Sequence, residues 1–250
     1  MFSVTSKWAV ALLCAAAMCM TSCGKRESKL ESGRLEIHNR VKAREDSLVR
    51  ELSRTDSLLV TTQVLADSLR KGLTVRSNPV ESYLAPKGST LPATGVEPRL
   101  NMEAGGTEAV FYLVAQATGM SRFTSVAFAL NEGGEWLSTE TVAADGERNS
   151  VRNGQQTVIF MGAQTDSVAR TMASWPEGVG CYMRFSGGGR ALKLAPQTVA
   201  DIVSAYRYAQ ALQDLQVLAR SHQRLERLLE TARQQVARTM PEPTSEAKEQ

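Results

Sequence analysis

The sequence predicts an α+β fold: a small antiparallel β-rich head domain with one short helix, flanked by two long amphipathic, coiled-coil-like helices. Three observations carry this. Residues 28–72 form a proline-free run rich in Leu, Arg, Glu and Ala. Residues 197–239 form a second proline-free run, with Pro196 ahead of it and Pro241 and Pro243 beyond it. Between the two, short β-patterned segments alternate with turns that contain glycine or proline.

In the first helix, apolar residues recur at Leu30, Ile37, Val41, Leu48, Leu52, Leu58, Leu59, Leu65 and Leu69. Spacings of three, four and seven place them on one stripe. One heptad track runs through Leu30, Ile37, Leu58 and Leu65 but passes Arg44 and Glu51. Its partner, through Val41, Leu48 and Leu69, passes Thr55 and Thr62. An eleven-residue period fits Leu30, Val41 and Leu52 as well, so the coiled-coil character is weak.

Residues 73–98 read as a linker rich in Pro, Gly and Ser. The head follows over 99–196, about one small domain's length. Residues 109–115 form a continuous apolar strand. Residues 123–130 alternate, with Val126, Phe128 and Leu130 on one face, and 136–142 return as a hairpin after the turn at 131–135. Another strand covers 157–161, and a short helix covers 166–174 before a stop at 175–178. Residues 179–185 and 191–194 close a last hairpin around Gly187, Gly188 and Gly189. The final helix has a clean heptad: Tyr208, Ala211, Leu215, Leu218, His222, Leu225, Leu229, Ala232 and Val236. Residues 240–250 are polar and read as a disordered tail.

The two long helices measure about 67 and 63 Å at 1.5 Å per residue. Matched lengths on either side of one head predict that they fold back antiparallel, burying both stripes inside one chain. The rival is a parallel oligomer. On the first helix it would set Arg44 against Arg44 and Glu51 against Glu51 in the seam.

Residues 1–22 have the layout of a signal peptide. Lys7 gives a positive n-region, residues 8–20 are uncharged and mostly apolar, and small residues follow. The apolar run falls short of the roughly 20 residues that a membrane span needs. Met20, Thr21, Ser22 and Cys23 resemble the lipobox of bacterial lipoproteins, with Met20 in place of the commoner Leu. The resemblance implies cleavage before Cys23, a diacylglycerol on its sulfur and a further acyl chain on its freed amine. Two or more chains anchor stably where one does not. Residues 23–27 are then the lipid attachment and a short linker. Gly24 is not the aspartate that retains some Gram-negative lipoproteins in the inner membrane, and Lys25-Arg26 is not an acidic export signal. The implied location is the outer membrane, facing the periplasm. The layout as a whole resembles that of Gram-negative envelope lipoproteins with long helices and a small β-rich head. That is a resemblance of architecture and carries no activity.

Composition narrows the chemistry. Removing residues 1–22 takes away Lys7 and no acid, so the net charge of +3 becomes +2, which is not the charge of a nucleic-acid binder. Of four cysteines, Cys14 and Cys19 leave with the signal and Cys23 carries lipid, so Cys181 has no intrachain partner. It reads as a small buried hydrophobe in a strand.

There is no zinc-binding His or Cys motif, no phosphate-binding glycine loop ahead of a helix and no nucleophile elbow. No metal or cofactor is expected, and the chain reads as a non-enzyme. His38 lies on the first helix's polar flank and His222 at a heptad core position, where a polar residue sets register. Glu132, Glu135 and Glu140 are candidate paired carboxylates for sugar hydrolysis, but a solvated hairpin explains them better. Trp136 and Trp175 are candidate ring-stacking residues, weighed against ordinary core packing.

The expected role is thus a structural or protein-interaction lipoprotein of the envelope with a protein partner. The alternative is a module that binds peptidoglycan or another glycan.

Overall fold

The computed structural model describes residues 5–78, 81–102, 109–119, 122–144 and 146–240, with side chains from residue 32 onward except at residue 102. The side chains of Met20, Thr21, Ser22 and Cys23, and the tail at 241–250, lie outside the described residues. The protein is α+β. In chain order the elements are α1 (Thr5–Lys71), β1 (Leu73–Ser77), β2 (Ser82–Pro86), β3 (Gly95–Met102), β4 (Ala109–Thr118), β5 (Val126–Ala129) and β6 (Leu137–Ser138). There follow β7 (Asn149–Arg152), β8 (Gln155–Met161), α2 (Ala163–Met172), β9 (Cys181–Phe185), β10 (Leu192–Leu194) and α3 (Pro196–Thr239). Among the described residues no helix is long and apolar enough to cross a membrane.

The chain divides into two compact units, Leu58–Ala219 and Met1–Ser57 with Arg220–Gln250. In the first, two antiparallel sheets share one core. The larger has strand order β1-β2-β3-β4-β8-β7, the smaller β10-β9-β5-β6. Leu84, Leu100, Phe111, Leu113, Val158 and Phe160 come from the larger sheet. Val126, Phe128, Cys181, Met183 and Phe185 come from the smaller. Val168, Ala169 and Met172 of α2 join them. So do Ala66 of α1 and Ile202, Ala205, Tyr206 and Ala209 of α3, with the Tyr206 ring edge-on to Phe111 at 5.6 Å.

Two sequence expectations need correction here. The segment at 73–98 is not a linker: it supplies β1, β2 and the start of β3, and Leu73, Leu84 and Val96 are core residues. Of its described prolines, Pro98 lies inside β3, opposite Leu113 of β4. Pro86 ends a strand, and Pro92 stands between strands. The compact unit also extends beyond 99–196 into both long helices, because their ends bury apolar residues against the sheets. A further hairpin joins β7 to β8. Arg152 pairs with Gln155 across Asn153-Gly154, and both turn residues have positive φ, at 52° and 75°. This is the two-residue turn that matches strand twist, and Asn-Gly is its preferred sequence.

The segment at 123–130 was expected to bury one face. Val126, Ala127, Phe128 and Ala129 are all buried, because alanine on the outer face leaves room for side chains to lie across it.

In the second unit, Leu48 of α1 and Leu229 and Ala232 of α3 form a small cluster, with Leu52, Leu225 and Leu228 packed around it. Polar contacts flank it: His38 Nδ1 to Thr239 Oγ1 at 3.3 Å, Glu45 to Arg233 at 3.7 Å, and Asp56 to His222 Nε2 at 2.8 Å. Positions rise along α1 as their partners fall along α3, so the two helices run antiparallel within one chain.

Burial along each helix shows which residues face inward. All nine heptad positions of α3 from Tyr208 to Val236 are buried or half-buried. On α1 the inward positions are His38, Val41, Glu45, Leu48, Leu52, Thr55, Leu59, Thr62, Ala66 and Leu69, spaced alternately by three and four. Ile37, Leu58 and Leu65, expected on the apolar stripe, are exposed. One partner helix covers only one seam: it takes the track through Val41, Leu48, Thr55, Thr62 and Leu69, with His38, Glu45, Leu52, Leu59 and Ala66 as its companion.

Candidate functional site

Trp136 and Trp175 lie on different features of the β-rich unit: Trp175 lines a concave surface, and Trp136 stacks with Arg184, which lines another. Trp175 follows α2 in the turn that carries the chain to β9. It is half-buried against the main core. Beside it runs a groove of about 350 Å³, floored by Leu69, Val199 and Val203 and walled by Pro176 and Val179. Glu177 and Arg207 stand at the rim with opposite charges. Arg207 donates to the carbonyl of Ala173 at 3.3 Å, which ties α3 to the end of α2. Arg170 Nε donates to the Tyr206 hydroxyl at 3.1 Å and holds the same pair of helices together. Burial lifts the Asp166 carboxyl above its ordinary value, with Arg170 opposing the shift.

Trp136 stands at the start of β6, on the outer face of the smaller sheet. In the register of that sheet, Arg184 lies opposite Ala127, and Ala127 opposite Ser138. Small residues at 127 and 129 let Arg184 lie across the sheet, and its guanidinium sits 4.2 Å from the centre of the Trp136 ring. The ring is therefore half-buried under a cation rather than packed in the core. A second pocket, of about 370 Å³, adjoins Arg184 and is bordered by Ser125, Ser138, Ser186 and the glycine triplet.

The three glutamates separate. Glu132 and Glu135 are exposed. Glu140 is not a solvated hairpin residue. It accepts from the Met161 backbone amide and from Thr165 Oγ1, the latter at 2.6 Å, and Arg148 lies 3.7 Å away. Its charge thus sits at the N-terminal end of α2, where a helix favours an anion. No described group of three or more His, Cys, Asp and Glu could hold a metal ion.

A buried charge cluster on the larger sheet escaped the sequence reading. Glu97 on β3 is 2% exposed and binds Arg76 at 2.9 Å and Arg99 at 2.8 Å, one arginine on each oxygen. Arg99 also reaches Glu81 at 3.4 Å and lies 4.1 Å over the Tyr83 ring. Arg76 bonds the Ser89 carbonyl, fixing the segment ahead of β3. Tyr112 lies opposite Arg99, and burial, with Glu81 next, raises its hydroxyl's pKa. A Glu and an Arg two apart in a strand share a face. That much was visible, but their burial was not.

Cys181 is fully buried in β9, and desolvation pushes its thiol up to about 12. An unfolded thiol ionises near pH 8.5. Above that pH the unfolded chain sheds a proton that the folded chain keeps, so stability falls as pH rises from about 9 towards 12. The expected slope from this group is roughly 1.4 kcal/mol per pH unit. Urea midpoints at pH 8 and pH 10 check it: Cys181→Ala should lose that part of the decline. An equal decline in both proteins would contradict the burial of the thiol.

No protein family matches the chain, and neither a curated protein nor a solved structure does.

Proposed function

We propose that this chain is a lipid-anchored envelope protein that works without catalysis, by binding a partner protein through the groove beside Trp175. The groove carries the reading. It is apolar along its floor, half-walled by a tryptophan and a proline, and charged only at its rim, as the centre and edge of a protein interface are. The occupant that fits is a short apolar segment of a partner, flanked by one basic and one acidic residue to meet Glu177 and Arg207. The lipobox at residues 20–23 supports anchoring through Cys23 on the outer membrane, facing the periplasm. The antiparallel seam of α1 and α3 supports a two-stranded coiled coil closed within one chain, and so a monomeric protein.

Val179→Asp tests the groove, since Val179 is already exposed and a charge there costs the fold little. A protein partner crosslinked to the wild-type chain in intact cells should be lost from this variant while its melting temperature stays unchanged. Recovery of the same partner in the same yield would sink the groove reading.

A second reading has an observation of its own. Arg184 stacked on Trp136 beside a hydroxyl-lined pocket favours a glycan module, with peptidoglycan the glycan of this compartment. Isolated sacculi should then retain the wild-type protein and release an Arg184→Gln variant.

A further inference from the structure

We propose that the pocket between Arg184 and the Gly187–Gly189 turn is a site for a sugar that bears a carboxylate. The inference deepens the glycan reading and rests on it. Arg184 is the first reason. It is exposed, and among the described residues no carboxylate lies within ion-pairing distance of it. It is held by stacking on Trp136 instead. A guanidinium resting on a ring keeps its N–H edge for acceptors, and that planar fork matches the two oxygens of a carboxylate. Being held in place, it gives up little freedom on binding.

The rest of the pocket suits the sugar. Ser186 Oγ accepts from the backbone amides of Thr124 at 2.8 Å and Ser125 at 3.0 Å, which fixes its position. The hydroxyls of Ser125 and Ser138 make no hydrogen bond among the described residues and border the same space. Opposite them the turn has φ of 88°, 103° and 121° at its three glycines, a conformation that side chains resist. A Cβ on Gly188 would meet nothing within 4 Å, and the three glycines border the pocket. Ala127 provides a small apolar floor. One fixed cation, several neutral hydroxyls and a glycine turn make a site for an acidic group attached to a hydroxylated ring. The volume of about 370 Å³ lies within the range of small-ligand pockets.

Titration calorimetry on the full-length chain in detergent tests this with three probes. N-acetylmuramic acid carries a carboxylate, N-acetylglucosamine is the same ring without it, and inorganic phosphate is an anion without a ring. The acid should bind at least tenfold more tightly than either of the others. Arg184→Gln should bring it down to the level of N-acetylglucosamine. Lys193→Gln, a cation of the same sheet that does not border the pocket, should leave it unchanged, which separates a fixed contact from general attraction. Equal binding of the two sugars would overturn the carboxylate assignment and keep the glycan reading. Phosphate binding as tightly as the acid would reduce the pocket to a plain anion site and also overturn it. No binding of either sugar would remove both readings. An unaltered affinity in folded Arg184→Gln would take the site away from Arg184.

Discussion

Glu97→Leu is expected to destabilise the β-rich unit by roughly 3–5 kcal/mol, the cost of removing one partner from a buried ion cluster. Arg76 and Arg99 have side-chain exposures of 27% and 12%, and both point their donors at Glu97. Without that carboxylate, Arg99 keeps only the longer contact to Glu81, and Arg76 keeps the Ser89 carbonyl. Two cations then share a nearly dry face of the sheet with no charge between them. The β1–β2–β3 edge should loosen first, since the cluster is what joins those strands on the side away from the main core. Urea denaturation with a sheet-reporting signal measures the loss. A companion variant, Arg76→Met with Glu97→Leu and Arg99→Met, should recover much of it, because a buried ion cluster replaced whole by apolar groups is often neutral. A loss below about 1 kcal/mol in the single variant would show that the cluster is hydrated and its burial unimportant.

Cys23→Ala has the other large effect. It should abolish labelling by radioactive palmitate and leave the signal peptide uncut, so the chain migrates as the longer precursor. On the proposed lipobox reading the Cys23 sulfur would accept the diacylglycerol, and no thiol stands at the position after the cut once it is replaced. Cys19 lies inside the apolar run, and Cys14 lies further back. With no acyl chain, attachment falls to whatever the uncut apolar segment provides, and that segment is short of a membrane span. Palmitate still entering the variant, with cleavage at the same site, would refute the lipobox.

Much of this architecture was legible because its signals are periodic and local. The α3 heptad survives intact as a buried seam because its positions are apolar almost throughout. The glycine triplet announced a turn, and β9 and β10 pair across it. Where the sequence misled, the physics is identifiable. On α1 the track through Val41, Leu48, Thr55, Thr62 and Leu69 does face inward, but its companion carries His38 and Glu45, so counting apolar residues pointed instead to the exposed Ile37, Leu58 and Leu65. Prolines at 79, 86, 92 and 98 made 73–98 look like a linker, yet strands begin and end among them.

The site was harder to read. Trp136 and Trp175 were singled out as residues, but what makes each of interest comes from far along the chain. Arg184 reaches Trp136 only through the β5–β9 register, and Val203 borders the Trp175 groove only because α3 returns to the sheets. Glu97 gave no sign of burial, since its arginine partners come from β1 and from two residues further along β3.

The central claim, that a partner protein occupies the groove beside Trp175, is tested most directly by a photocrosslinking residue placed in the living cell. Installed at Val179, it should give one discrete protein adduct on illumination. Installed at Val151, exposed on β7 away from the groove, it should give none. Adducts of equal yield at both positions, or none at Val179 while the protein is folded and membrane-bound, would contradict the account.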